Sequence, residues 1–132
     1  GFRAQANLGR PDGELVNDDT LRADLVFGVR RQRPDLVLTH DPRTLWNVYG
    51  GRAHPGHSDH RATGQAVLDA LYPRAASPHF FKEQLEEVGV EPWYPREVWL
   101  FDTVQPDTHI DARATFARKL DIMRSNIAAA SP

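Results

Sequence analysis

The sequence predicts an α/β domain in which a mostly parallel sheet, short of its first strand or strands, is flanked by helices. Two observations support this prediction. An amphipathic helix pattern leads directly into a short apolar run, and a second apolar run follows after further helical patterns. A third observation concerns the number of strands: only two runs have clear strand character, whereas such a sheet usually has about five or six strands.

The composition indicates one folded domain. The chain has 132 residues, of which 40% are hydrophobic and 26% are charged, as is typical of a single globular core. Its formal net charge of −2 comes from 16 basic and 18 acidic residues. Because this balance creates no positively charged footprint for nucleic acid or for an anionic membrane, neither partner is expected.

Cysteine is absent, so a metal ion would be bound by nitrogen and oxygen ligands from His, Asp and Glu. No apolar run reaches the roughly 20 residues that span a bilayer, and the first residues lack the pattern of a signal peptide. We therefore expect a cytoplasmic protein that does not insert into membranes. The chain begins at Gly1 and its only methionine is Met123, which predicts a piece of a longer polypeptide.

The first predicted elements are a loop, a helix and a strand. Residues 1–17 are rich in turn formers and are expected to form a loop. Asp18 and Asp19 favour a helix start, and the arginines before Pro34 favour its end. The apolar residues of this helix recur every four positions, at Leu21, Leu25 and Val29. Residues 36–39 then predict a short buried strand.

A Gly- and Pro-rich stretch, residues 42–56, is expected to be a loop. Ser58 and Asp59 then provide an N-cap and a first-turn charge for a second helix, which Pro73 ends. The apolar face of that helix consists of Ala62, Ala66, Val67, Ala70 and Leu71. A short third helix is expected to end at Gly89.

The last third of the chain predicts one clear strand and one helix. Residues 98–101, VWLF, are apolar at every position, so we expect a strand that is covered on both faces. A further strand is predicted near residues 108–111, THID. A C-terminal helix is predicted from about Ala112. The buried face of this helix is expected to comprise Phe116, Leu120, Met123 and Ile127.

The segment AHPGHSDHRATG, residues 53–64, concentrates histidines at the start of the second helix. His57 and His60 are three positions apart, and this spacing lets both imidazoles point into one cleft and bind a metal ion. Asp59 would orient one of the rings by accepting its second N–H. The alternative is that these are solvated loop histidines without a function, because H-x-x-H alone is a common pattern.

The end of the first predicted strand favours the functional interpretation. In open α/β sheets, ligands bind beyond the carboxyl ends of the strands. His40 and Asp41 lie at such an end, shortly before the histidine segment. Both residues therefore join the candidate site.

Three segments of the sequence resemble the PIG-L or LmbE-like family of zinc-dependent N-acetylglucosaminyl deacetylases. They are LGRPDGELVNDDTLRADLVFGVRRQRPDLVLTHDP, HSDHRATGQAVLDALYP and REVWLFDT. The resemblance as a whole runs from about Leu8 to Ile127. Its most specific part is the motif H-x-D-H-R-A-x-G, which begins at His57 and ends at Gly64. The resemblance implies a Rossmann-like fold and hydrolysis of an N-acyl group, usually acetyl, from a glucosamine-containing small molecule.

The resemblance also implies roles for single residues. His60 matches the metal ligand, His57 the histidine that acts as an acid or stabilises the oxyanion, and Asp59 the carboxylate that supports His57. Asp41 and Tyr49 fall in the loop that lines the same pocket and are expected to bind substrate. Zn²⁺ is the cofactor that the family implies, with other divalent metals as alternatives.

One family feature is not found in the sequence. Members of the family carry an earlier A-H-P-D-D-E segment, which supplies two further ligands and the catalytic base. We therefore interpret residues 1–132 as one α/β domain that forms the carboxy-terminal part of a deacetylase. The alternatives are a chain that receives the segment from another polypeptide and a non-catalytic remnant that binds only sugar or metal.

Two further expectations follow from the missing segment. His54 or His40 could replace an absent metal ligand, although their spacing favours neither of them. An open sheet edge would favour either a homo-oligomer or pairing with a complementing N-terminal segment.

Overall fold

The computed structural model describes residues 5–130, with side chains as far as Ser125. Within these residues the helices and strands are α1 Asp19–Gln32, β1 Leu36–His40, β2 Trp46–Tyr49, β3 Arg52–Pro55, α2 Ser58–Asp69, α3 Lys82–Val88, β4 Glu97–Phe101 and α4 Phe116–Ala130. A wide helical turn, Ala70–Ala75, continues α2, and a 3₁₀ turn, Arg113–Thr115, precedes α4. The predicted loop is confirmed for residues 5–17, which contain no regular element.

Strands β1 and β4 form a parallel sheet, which confirms the predicted α/β class. Their register pairs Leu36 with Glu97 at one end and His40 with Phe101 at the other. Because the strands are parallel, both carboxyl ends lie at the same edge of the sheet. This arrangement brings His40 close to Asp102, the residue that follows β4.

Helix α1 has the capped start that the sequence predicts. The backbone N–H of Leu21 donates to Asp18 Oδ1 over 2.7 Å, as expected of an aspartate at the N-cap. The helix ends at Gln32, and its C-cap, Arg33, has a left-handed conformation and immediately precedes Pro34. Both predicted ends of α1 are therefore confirmed within one residue.

The core lies between α1, α2 and the wide turn that follows α2. Its buried apolar side chains are Leu21, Val26, Ala66, Ala70, Leu71 and Ala75. Helix α2 contributes Ala66 to this set, and the wide turn contributes Ala70, Leu71 and Ala75. Helix α2 also packs against β1, which places the first turn of α2 near the carboxyl end of that strand.

The prediction of buried strands covered on both faces is wrong for the described residues. Leu38 is 60% exposed, Trp99 38% and Phe101 46%, whereas Thr39, on the opposite face of β1, is 3% exposed. Helix α2 packs against β1, while no helix within residues 5–130 packs closely on the face that carries Leu38. The side chains therefore alternate between covered and exposed positions.

The expected buried face of the C-terminal helix is also wrong. Phe116 is 53% exposed and Met123 is 50% exposed, because within the described residues α4 packs closely only against the 3₁₀ turn before it. Leu120 is partly buried, and the side chain of Ile127 lies outside the described part. The α-helix begins at Phe116 because the 3₁₀ turn replaces its predicted first turn. The strand predicted near residues 108–111 is absent there, since these residues are irregular.

Residues 42–56, expected to form a loop, contain an antiparallel hairpin of β2 and β3. Trp46 pairs with Pro55, and Gly50 and Gly51 connect the strands. The φ angles of these glycines are +57° and +75°, as a two-residue hairpin turn of the favoured type requires. A Gly-Gly pair between two short runs was the available signal in the sequence.

The other helix ends agree with the sequence to within a few residues. Regular α2 ends at Asp69, before Pro73, because the chain passes into the wide turn. Helix α3 ends at Val88 and is followed by Gly89, as predicted. None of the helices described here combines the length and the apolar character that crossing a membrane requires.

Candidate functional site

A small cleft lies where the carboxyl end of the parallel sheet meets the first turn of α2. The residues that line it are His40, Asp41, Thr44, Asn47, Gly56, His57, His60 and Asp102. Five of these side chains carry imidazole or carboxylate groups, and all of them except Asp102 were predicted to belong to the site. The structure therefore brings His40, Asp41, His57 and His60 together.

The first turn of α2 positions the two motif histidines. His57, rather than the predicted Ser58, is the N-cap, because its Nδ1 accepts the backbone N–H of Asp59 over 3.2 Å, while Asp59 supplies the predicted first-turn charge. The ring centroids of His57 and His60 are 5.2 Å apart, so both imidazoles face one cleft, as their spacing predicts. Because Nδ1 of His57 is an acceptor, the proton of its neutral ring lies on Nε2.

A close approach of α2 to β1 brings His60 to the sheet edge. A Cβ atom at Gly64 would overlap the carbonyl oxygen of His40, and it would lie 3.0 Å from Cδ of Pro42. Glycine is therefore the residue that permits this contact. Since His60 lies one turn before Gly64 on the same helix, the contact sets the distance between His60 and the end of β1.

His40 and His60 pack against each other in this contact. Their rings are stacked, with centroids 3.9 Å apart and an interplanar angle of 10°. Nδ1 of His40 lies 3.9 Å from Oδ2 of Asp102. Burial lowers the pKa of His40, the neighbouring His60 lowers it further, and Asp102 acts in the opposite direction.

The cleft carries side chains of the kinds that bind divalent metal ions in proteins. His40, His60 and Asp102 each offer a ligand atom, and the three atoms lie within 4.8 Å of one another. Nδ1 of His40 is buried and has no hydrogen-bond partner among the described residues. Imidazole nitrogens and carboxylate oxygens are ligands of the kind that zinc and similar metals accept, and among these residues His60 and Asp102 are the pair that could share one ion.

Asp102 is a candidate site residue that the sequence interpretation missed. It has a positive φ of 61°, and its carbonyl oxygen accepts the Thr44 hydroxyl over 2.8 Å, so the segment after β1 holds the residue after β4. The available signal was its position, since Asp102 directly follows the apolar run of β4 just as Asp41 follows β1.

Asp59 has a different set of contacts from the one expected. Its carboxylate accepts the backbone N–H groups of Gly13 at 2.7 Å and Leu15 at 3.3 Å. Burial raises the pKa of Asp59, but these backbone hydrogen bonds outweigh it and keep the pKa below its ordinary value. Asp59 also lies beside His57 and Asp12, with ligand atoms within 4.8 Å. It therefore anchors the N-terminal loop against the histidine segment.

The two residues expected to bind substrate lie in different places. Asp41 lines the cleft and is buried, and its carboxylate oxygens accept Nε and Nη2 of Arg43 at 3.0 and 2.9 Å. The Arg43 guanidinium holds the pKa of Asp41 well below its usual range, so Asp41 is a fixed carboxylate. Tyr49 lies on β2, is 62% exposed and is not among the residues that line the cleft.

Comparisons with known proteins show which proteins this chain is similar to. Residues 1–71 match the model of the PIG-L family, described as GlcNAc-PI de-N-acetylase. The chain is 30% identical over 115 residues to diacetylchitobiose deacetylase from Thermococcus kodakarensis, a match that covers 87% of this chain and 39% of that protein.

A solved structure of N,N'-diacetylchitobiose deacetylase from Pyrococcus horikoshii, in complex with its inhibitor MPG, is also similar. The TM-score is 0.73 at 28% sequence identity, and the match covers 89% of this chain and 40% of that chain. The chain thus spans about 40% of the length of the relatives it matches.

Proposed function

We propose, because this chain belongs to the PIG-L family, that it forms the carboxy-terminal part of a metal-dependent hydrolase that removes an N-acetyl group from a glucosamine-containing small molecule. The observation that carries the proposal is the cleft at the carboxyl end of the parallel sheet, which both His57 and His60 line. The centroids of their rings are 5.2 Å apart. The names of the two similar deacetylases support the substrate class.

In this proposal His60 binds the metal, and Asp102 is a further candidate ligand. The absence of cysteine and the nitrogen and oxygen donors at the cleft favour Zn²⁺, with other divalent metals as alternatives. When bound, the metal would supply Lewis-acid polarisation of the acyl carbonyl. Family members obtain their remaining ligands and the base from an A-H-P-D-D-E segment, which this chain would use from upstream sequence or from another polypeptide.

His57 would act on the reacting amide without binding the metal. Its Nδ1 is engaged by the backbone N–H of Asp59, which leaves the Nε2 proton to be donated. Donation to the developing oxyanion would stabilise the addition of water to the carbonyl carbon. Donation to the amine nitrogen would assist cleavage of the C–N bond, which releases acetate and the free amine. Asp59 would support His57 by holding this turn against Gly13 and Leu15.

Asp41 and Tyr49 are proposed substrate contacts. Asp41 presents a fixed carboxylate at the cleft, a suitable acceptor for sugar hydroxyls. Tyr49, exposed on the hairpin, would reach a substrate that extends beyond the cleft. The proposal also includes a single domain over residues 1–132, a cytoplasmic location, and assembly as a homo-oligomer or with a complementing segment.

We expect the full protein to bind Zn²⁺ and to release acetate from N,N'-diacetylchitobiose. His60→Ala should abolish metal binding, because it removes the proposed ligand. His57→Ala should retain metal affinity and lose about 10²- to 10³-fold in kcat, because a donor to the oxyanion is worth that much. Metal content by atomic emission and amine release by a fluorogenic amine reagent measure the two effects.

His54→Ala is the matched control, since His54 lies on the exposed hairpin strand β3 and should leave both properties unchanged. Metal and sugar binding without any turnover would instead identify the non-catalytic remnant. Retention of bound metal by His60→Ala would contradict the proposed site.

A further inference from the structure

The stacked pair of His40 and His60 raises the question of what His40 does. The motif that identifies the family begins at His57, so His40 has no role assigned by it. Yet His40 lies flat on His60, with ring centroids 3.9 Å apart and an interplanar angle of only 10°. It also contacts Phe101, at a centroid distance of 4.3 Å.

The stacking excludes one obvious role in this arrangement. The lone pair with which an imidazole nitrogen would bind a metal lies in the plane of its ring. Since the rings of His40 and His60 are stacked and nearly parallel, their lone pairs lie in two separate planes and do not converge on one point. The two rings therefore cannot bind one metal without a large rotation of one of them.

We propose that His40 is a positioning residue whose ring sets the plane and rotamer of His60. This inference rests on the proposed function, in which His60 is the metal ligand. His40 restricts His60 to the orientation in which their faces are in contact, and ligands held in this way lose less conformational freedom when they bind metal.

The surroundings of His40 are built to hold its ring. Its backbone forms the end of β1, where the carbonyl lies against Gly64 of α2. Its edge faces Asp102, with Nδ1 3.9 Å from Oδ2. Asp102 in turn is held by the Thr44 hydroxyl. The backbone of His40 is thus held between β1 and α2, and packing against His60 and Phe101 restricts its ring.

The test compares two variants of similar bulk in the full protein. His40→Phe keeps a flat ring but has no nitrogen, whereas His40→Leu keeps the bulk and has no flat face. We expect the zinc affinity of His40→Phe to stay close to that of the wild type. We expect His40→Leu to bind zinc about 10- to 100-fold more weakly, as is typical when a residue that orients a metal ligand is lost.

Competition with a chromophoric chelator gives the affinities, and the visible absorption of the Co²⁺-loaded protein reports the ligand set. His54→Leu is the control for a histidine outside the cleft, and circular dichroism checks that each variant is folded.

Two results would overturn the inference. One is an equal loss of zinc affinity in His40→Phe and His40→Leu together with a changed Co²⁺ spectrum, which would show that His40 is a ligand. Wild-type affinity in both variants would overturn it as well, while leaving the proposed function intact. A wild-type protein that binds no metal would overturn both.

Discussion

Replacing Gly64 with Ala is expected to lower the free energy of unfolding by about 1–3 kcal/mol and to weaken metal binding at least tenfold. The added Cβ would overlap the carbonyl oxygen of His40 and would lie 3.0 and 3.1 Å from Cδ and N of Pro42. These atoms belong to the backbone and to a proline ring, so they cannot move aside as a flexible side chain would. Helix α2 must therefore shift away from β1 and carry His60 with it.

Gly28→Ala is the matched control for this substitution. Gly28 is also inside a helix, but a Cβ there would meet nothing within 4 Å. The usual helix propensities then apply, and Ala should stabilise the protein by about 0.4–1 kcal/mol. Urea unfolding followed by circular dichroism measures both changes, and chelator competition measures the metal affinity. If Gly64→Ala proved as stable as Gly28→Ala, the close contact between α2 and β1 would be refuted.

The parts of the site that follow from local geometry could be predicted from the sequence. The spacing of His57 and His60 places both rings on one side of a helix start, whatever the rest of the chain does. The position of His40 and Asp41 at the end of a strand could likewise be predicted from the local sequence. Asp102 could not be placed in this way, because its approach depends on β4 pairing in parallel with β1.

The patterns of apolar residues predicted where helices and strands form better than they predicted which side chains are buried. The run VWLF reads identically whether one or both faces of the strand are covered, since the run itself does not contain the covering elements. Within the described residues only one face is covered, so Trp99 and Phe101 are partly exposed. The same limit applies to α4. The apolar pattern at Phe116 and Met123 does not indicate which element packs on this face, and both side chains are about half exposed.

Arg30 shows a different limit, because the sequence assigns this arginine only to the end of α1 and the structure buries it. An arginine in the last turn of a helix before Pro34 is typical of a charge that favours the helix end. In the structure Arg30 is 1% exposed, the largest of the fully buried side chains. Nothing in the local pattern distinguishes it from its neighbour Arg31, which is exposed.

The guanidinium of Arg30 organises the chain that connects α2 with α3. Its Nη2 donates to the carbonyl oxygens of Arg74, Ser77 and Phe80 at 2.8–2.9 Å. Its Nη1 reaches Gln84 Oε1 at 3.2 Å. Its further acceptors are the carbonyl oxygens of Ala75 and Phe81. Burial lowers the pKa of Arg30, but the pKa of a guanidinium is so high that the group stays charged. One cation thus donates to five carbonyl oxygens of this connection, and two of them, those of Ala75 and Phe81, also accept the backbone N–H groups of Trp93 and Gln84.

Arg30→Met is therefore expected to destabilise the protein by about 3–5 kcal/mol, because it removes the guanidinium donor from the carbonyl oxygens of Arg74, Ser77 and Phe80 in a partly buried connection. Arg30→Lys should fall between Met and the wild type, since one ammonium has three donors and cannot reproduce the planar fork. The control is Arg31→Met on the same helix, where an exposed side chain should change the stability by less than about 0.5 kcal/mol. Urea unfolding monitored by circular dichroism gives all three values. A loss below about 1 kcal/mol for Arg30→Met would mean that water or a rearranged chain can replace the guanidinium, and that this connection does not depend on its buried cation.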